Sequence, residues 1–449
     1  MIPLSLPKPP LALAVVTYKQ MSSANYSEWP APLFSAPLNA TVTLPGSKSL
    51  TNREFLLAAL ASEPTEFSGA LISRDAKLML GALSALGAEI SEADTTSPVI
   101  SPASLNTDAS IDCGLAGTVM RFVPPLSTLN NGRITFDGDE GARRRPMDTT
   151  ITSLRSLGVS VEADTLSLPF TVVGTGSVEG GELTIDASSS SQFVSGLLLV
   201  APRFENGLTL RHEGEHLPSL PHIEMTLECL RQRGVQVSNP SPTVWRVEPG
   251  PIAGGFKQIE PDLSNAGPFL AAALVCGGSV TIPDWPDSTT QVGDAFDGIL
   301  QQMGASIVRD SRGLTITGTG VIHGIDIDLS IGGELAQVVA ALSVLADTPS
   351  TIRGIGHIRG HETDRLAAMA TEINRIGGNC VETEDGWVIT PTSSLRGDLW
   401  RSYEDHRMAT AGAILGLRVP GLKVENIETT SKTMPDFAKM WHDMLGATA

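Results

Sequence analysis

The stretch with the most chemistry per residue is Pro45-Gly46-Ser47-Lys48-Ser49-Leu50-Thr51-Asn52-Arg53, which sets two cations and two seryl hydroxyls on a Pro-Gly turn. The β-branched run 41–44 before it reads as a short strand, and the apolar run 54–60 after it as a buried helix. An anion suits that junction, because the first N–H groups of a helix lack partners and the helix dipole is positive there. It is not a Walker A loop: Lys48 follows Ser47 rather than glycine, and no glycine stands five residues before Ser47. A capped helix with solvated cations explains the stretch equally well, so the rest of the chain must decide.

Further stretches repeat the theme. Gly117-Thr118 opens an apolar run, where bare backbone allows a ligand to approach closely. Arg143-Arg144-Arg145 precedes Pro146; such runs are usually solvated, but the proline holds Arg145 extended before a helix and makes it the inward candidate. Ser190, Ser191, Gln192 and Ser219 stand at helix starts, suited to capping or to a sugar-like or phosphorylated ligand. In the second half, Asp262 and Glu334 precede apolar helices, each either satisfying a dipole or serving as a general base. His361-Glu362-Thr363-Asp364-Arg365, Asp405-His406-Arg407 and Ser431-Lys432-Thr433 follow. His357 and His361 are four apart, but Gly360 and the missing HExxH argue against zinc, and no GxSxG elbow supports a serine hydrolase.

These residues need elements to position them, and the chain supplies a sixfold repeat. Amphipathic helical patterns end at a glycine in 79–87, 149–158, 225–234, 296–304, 369–377 and 437–446, about seventy residues apart, longer than a solenoid unit. A second set, apolar all round, alternates with them at 52–61, 117–128, 191–202, 265–276, 333–346 and 406–417. Helices without a polar face belong inside a domain, and the chemistry-bearing residues cluster at their N-termini. Six units divide into two α/β domains of three with a cleft between. The final repeat is cut short, while 31–44 has strand character without a helix of its own. The expected division is therefore an extension over 1–30, a discontinuous domain of 31–45 plus 261–449, and an inserted domain of 46–260.

Composition sets outer bounds. The net charge of −18 over 449 residues argues against nonspecific nucleic-acid or anionic-membrane binding, so a cationic pocket here stands out. Cys113, Cys229, Cys276 and Cys380 form no CxxC pair, which fits a reducing cytoplasm. No apolar run is long enough to span a membrane. Residues 1–30 are Pro/Ser-rich and read as disordered, with Met21 an alternative start.

The series PGSKSLTNR, LAGTVMR, RRRPM, SSSSQF, HETDRL, YEDHRMA and SKTMPDF, in this order over 45–437, resembles the 5-enolpyruvylshikimate-3-phosphate (EPSP) synthase family. The resemblance implies two domains, each of three βαβαββ units, and a cytoplasmic monomer without metal or cofactor. It implies transfer of the enolpyruvyl group of phosphoenolpyruvate to the 5-hydroxyl of shikimate 3-phosphate. By carry-over, Lys48, Ser49, Arg53, Ser190, Ser191, Gln192, Ser219, Glu334 and His361 hold shikimate 3-phosphate. Lys48, Gly117, Arg145, Gln192, Arg365, Arg407 and Lys432 cradle phosphoenolpyruvate. The catalytic set is Glu334 as proton acceptor, Lys48, Glu362 paired with Lys48 for proton transfer at the methylene, and His406. The chain departs from the family at Leu115, where Asn is common, at Glu334, where Asp is common, and at His361, where Lys is frequent. Gly117 implies inhibition by glyphosate in competition with phosphoenolpyruvate. Two alternatives are a UDP-N-acetylglucosamine enolpyruvyl transferase, whose reactive cysteine loop is not evident, and a non-catalytic anion-binding homologue.

Overall fold

The computed structural model describes residues 26–446, so most of the leading extension, with Met21, lies outside the described residues. The last part of that extension is not loose. Glu28–Pro30 is a strand, antiparallel to Lys423–Glu425, and the Trp29 ring meets His442 edge-on at 5.8 Å. Three residues are too few for alternation to reveal a strand.

Twelve helices follow the two expected patterns. The inner six are Lys48–Leu60, Gly117–Ser127, Gln192–Val200, Leu263–Cys276, Ala336–Val344 and His406–Gly416. Apart from the opening turn of the first and Gln192 at the head of the third, their residues are buried, as sequences without a polar face require. The outer six are Arg74–Ala85, Asp148–Ser156, Leu220–Gln232, Phe296–Gln302, Arg365–Arg375 and Phe437–Met444. Each outer helix ends at a glycine with φ between +68° and +107°, a region costly for any residue with a Cβ, and there the chain turns back.

The strands form five four-stranded sheets and one three-stranded sheet among the described residues. In a typical sheet, Gly181–Ile185 and Leu208–His212 pair in parallel across an inner helix, and Val244–Val247 and Val237–Ser241 extend it antiparallel. The strand expected over 41–44 is instead Leu38–Thr41, parallel to Gly278–Thr281 in a sheet of the second half. β-branched content marked the region, but its register is set by that distant partner. In the same manner Gly255–Gln258 pairs in parallel with Thr65–Ser68 in the first half.

Two hydrophobic cores result. One gathers Phe55 through Ile259; the other gathers Ala31, Leu38, Val42 and Leu44 with residues from Leu263 to Leu445. Within each, three inner helices pack on one another. The chain passes between the cores at two adjacent places: Ser47 N–H donates to Glu260 O (2.8 Å) and Asp262 N–H to Pro45 O (2.9 Å). A Cβ at Gly46 would lie 2.0 Å from the backbone oxygen of Gly69, so only glycine fits this crossover. Another close approach fixes the site: a Cβ at Gly196 would lie 2.3 Å from Arg121 O. The absence of that Cβ lets Gln192–Val200 press against Gly117–Ser127 and brings their N-termini together.

Candidate active site

The inner helices of both cores start at one cleft, which holds a cavity of about 190 Å³ lined by six Lys or Arg side chains, three carboxylates and four histidines. A pocket of about 40 Å³ adjoins it beside Asp262 and Ser264. In a chain of net charge −18 this is a local reversal of sign.

The first-half wall is built on capped helix starts. Ser47 Oγ accepts from Leu50 N–H and begins the helix that carries Lys48 and Ser49. Lys48 Nζ lies 3.5 Å from Asp75 Oδ2, and its backbone N–H donates to Asp262 Oδ2 at 3.1 Å. Burial lowers the Lys48 ammonium from its ordinary value; Asp75 opposes that and the Lys432 charge adds to it. The expected pairing of Lys48 with Glu362 is therefore not a direct contact, because Asp75 is the nearest carboxylate and Glu362 is held elsewhere.

Around Gly117 three side chains converge. A Cβ there would meet Arg121, Arg145 and Gln192 at 3.0–3.1 Å. Arg145 donates to Leu115 O (3.2 Å); Arg121 donates to Gln192 Oε1 (3.1 Å) and lies 5.2 Å from the centre of the Phe193 ring. The Nε of each arginine is buried without a partner. Burial, with Arg145 adding, pushes the Arg121 guanidinium well below its usual value. A buried and a half-buried cation side by side, without a carboxylate in hydrogen-bond contact, describe a site made for an anion.

Ser190 Oγ accepts from Gln192 N–H (3.2 Å), so it is a cap as well as a lining residue. Ser191 lines the cavity without a cap bond, and Ser219 does so from a left-handed backbone (φ +54°). Arg53 lies behind the lining. Its donors go to Thr226 Oγ1, Ser49 O, Ser195 Oγ and His222 O, and it is not in the lining. Four residues after Ser49, it sits one turn deeper, among helices rather than at the cleft.

On the second-half wall Arg365 and Lys432 are paired with carboxylates. Glu362 Oε1 accepts from Lys432 Nζ (2.7 Å) and its Oε2 from Arg365 (2.9 Å). Burial alone would raise this carboxyl; Lys432 and Arg365 outweigh it and hold it well below the usual range. Arg365 also grips Asp405 through Nε (2.7 Å) and donates to His361 Nδ1 (2.9 Å). An arginine can only donate, so His361 accepts at Nδ1, and burial keeps its ring neutral. It thus supplies an imidazole N–H at the position where Lys is frequent in the family. Asp405 caps the next helix through Arg407 N–H, and Arg407 donates to Ser264 O (both 2.8 Å). His406 is buried with Nδ1 unpartnered, and burial and Arg407 hold it well below its ordinary value.

Glu334 rides on the short turn Gly333–Leu335 ahead of Ala336–Val344. Its Oε1 lies 3.2 Å from Nε2 of His222, which belongs to the other half. Burial would raise Glu334, but His222 and then Arg407 bring it well below the ordinary range.

The family model for EPSP synthase (3-phosphoshikimate 1-carboxyvinyltransferase) matches residues 34–441. The chain belongs to that family. A 3-phosphoshikimate 1-carboxyvinyltransferase of Kocuria rhizophila is 53% identical over 444 residues, covering 96% of this chain and all of that relative. Two structures of EPSP synthase from Acinetobacter baumannii superpose with TM-scores of 0.77 and 0.76 over 93% of this chain and 98% of theirs. Both are 22% identical and speak for the fold: two domains of three repeats.

Within this EPSP synthase framework, the cavity gathers every expected ligand residue except Arg53. It adds Asp75, Arg121, His222 and His357, which sequence reasoning missed. Arg121 had a signal, one turn after Gly117 on the same helix face. Asp75 hid as an ordinary first-turn acid behind the Ser73 cap. The thiols of Cys113 and Cys380 are pushed up to about 12 by burial, that of Cys276 to about 11, and burial also raises Cys229 well above its ordinary value. None is the reactive thiolate that the UDP-N-acetylglucosamine alternative calls for.

Proposed function

We infer that this chain transfers the enolpyruvyl group of phosphoenolpyruvate to the 5-hydroxyl of shikimate 3-phosphate, releasing phosphate. The observation that carries the reading is the pair Arg121 and Arg145, whose Nε atoms are buried and unpartnered, lining one small cavity with Lys48 beside them and Arg365, Arg407 and Lys432 on the other wall. Phosphoenolpyruvate brings a phosphate and a carboxylate, which arginines bind in bidentate fashion.

Ser49, Ser190, Ser191, Gln192, Ser219 and His361 hold the acceptor, and Glu334 takes the proton of its hydroxyl. As the oxygen bonds to C2 of the enol, the C2=C3 pair takes up a proton at the methylene. Lys48, whose ammonium is made more acidic by burial, suits that donation. Glu362 begins as a carboxylate between Lys432 and Arg365. When the anionic ligand draws those cations away, its proton affinity rises, and it serves the later return of the methylene proton. In that second step a proton leaves C3, the double bond re-forms and the C2–O bond to phosphate breaks, with the surrounding cations stabilising the leaving charge. His406 completes the catalytic set as a buried neutral imidazole beside Arg407.

Each core supplies half of these groups, so closure of the cleft about the crossings at 45–47 and 259–262 assembles the site and excludes water. The boundaries near 45 and 261 fit the two cores, and the site is complete within one chain, which suits a monomer. Four buried free cysteines suit a reducing cytoplasm. No described helix is long and apolar enough to cross a membrane.

Phosphate release from purified protein tests the reading. Shikimate 3-phosphate and phosphoenolpyruvate together give phosphate, and either alone gives none. Release only with UDP-N-acetylglucosamine as acceptor, or none with either, contradicts it.

A further inference from the structure

Among the described residues, His222–Glu334 is the one ion pair that joins the two cores. Both partners are held from behind. The carbonyl of His222 accepts from Arg53 (2.9 Å), Thr226 (3.0 Å) and Ser195 (3.4 Å), and its N–H donates to Ser219 O (3.0 Å). This gives Arg53 a purpose the cavity does not: it anchors the turn that presents His222. On the other side, a Cβ at Gly333 would lie 2.5 Å from Ile358 and 2.7 Å from His357 Nε2, so the turn carrying Glu334 is packed against its neighbours.

We propose that His222 is a positioning residue for the base: its Nε2 holds one carboxylate oxygen of Glu334 across the closed cleft and leaves the other for the acceptor hydroxyl. This rests on the reading of Glu334 as proton acceptor. The hydroxyl proton passes to the free oxygen of Glu334 while the hydroxyl lone pair forms the new C–O bond; His222 keeps its own proton throughout. Because its two members come from different cores, the couple exists only when the cleft is shut, so a competent base is tied to the closed state.

The charged and titratable surroundings bear on its pH behaviour. Glu334 is influenced by His222, Arg407, Arg365 and His357. His222 shares the adjoining pocket with Lys48, Asp262, His406 and Arg407. A cation beside a carboxylate favours ionisation, and Glu334 works only when ionised. Removing His222 raises the pH below which the base is lost. The remaining arginines are untouched by such a change.

The test compares pH profiles of kcat/KM for shikimate 3-phosphate in the native protein, His222→Gln and His222→Phe. Gln keeps an N–H donor that cannot gain a proton; Phe keeps bulk without a donor. The acid limb moves up by about one pH unit in both variants, and kcat near neutrality falls roughly tenfold in the Phe variant but less in the Gln variant, a tenfold step being one lost net interaction of ordinary size. An acid limb unmoved in both variants overturns the proposal, even if kcat falls, because a purely structural role lowers rate without shifting the limb. Absence of phosphate release by the native protein would instead contradict the transferase reading.

Discussion

The two walls of the cleft hold their cations in opposite ways. On the first-half wall, Arg121 and Arg145 are fixed by carbonyl and amide oxygens, with their Nε atoms unpartnered; Lys48, beside Asp75, is the exception. On the second-half wall, Arg365 and Lys432 are each bound to a carboxylate; Arg407, which donates to Ser264 O, is the exception there. A guanidinium held by neutral groups keeps its charge available to an incoming anion. One held by a carboxylate must exchange partners first, and that exchange alters the protonation of the group it leaves. One wall is therefore arranged to bind and the other to couple binding to proton transfer.

Removing the base should have the largest effect. Glu334→Gln is expected to lower kcat by roughly 10²–10⁴ with little change in the KM for phosphoenolpyruvate; steady-state kinetics checks this, and unchanged kcat would remove Glu334 from the mechanism. Next, the walls should separate in their kinetics. Arg121→Met strips one charged donor from the binding wall and should raise that KM about 10- to 100-fold with a smaller loss of kcat, the span of one or two charge-assisted hydrogen bonds. Lys432→Met frees Glu362 and should depress kcat more than it raises KM. Equal splits in the two variants would dissolve the distinction.

A buried pair outside the cleft supplies a control. Arg233 is about 1% exposed and binds Glu54 at 2.7 Å in the first core. Arg233→Met leaves Glu54 buried without its partner and should cost about 3–5 kcal/mol of stability, read by denaturant unfolding, with turnover of the folded fraction unchanged. The smallest effect concerns Gly117. Its added Cβ would meet only the ends of Arg121, Arg145 and Gln192, which can shift by a few tenths of an ångström. Gly117→Ala should fold normally, raise the KM for phosphoenolpyruvate several-fold, roughly 1 kcal/mol, and weaken glyphosate inhibition by more; equal loss of both would argue against the methyl intruding on the inhibitor selectively.

What could be read from the chain depended on how local its cause was. Inner and outer helices were legible because a glycine stop and an apolar face are written within a dozen residues. The chemistry at their N-termini followed, since a cap and a ligand residue occupy the same place. The strand at Leu38–Thr41 was misplaced because its partner Gly278–Ile282 is more than two hundred residues away. That Arg53 lies behind the lining was not legible, because spacing does not tell which of two cations on one helix faces the cleft. Asp75, His222 and His357 carry no local mark; they matter because packing brings them to Lys48 and Glu334.

The most direct test of the two-wall account is proton uptake on binding phosphoenolpyruvate beside shikimate 3-phosphate. It is read by calorimetry in buffers of different ionisation heat. At about pH 8 the ligand phosphate, with a second pKa near 6, is already dianionic. If Lys432 and Arg365 leave Glu362 for the ligand, protons are taken up, and the uptake shrinks in Glu362→Gln. Binding heats independent of the buffer, or the same uptake in Glu362→Gln, would contradict the exchange on which the account rests.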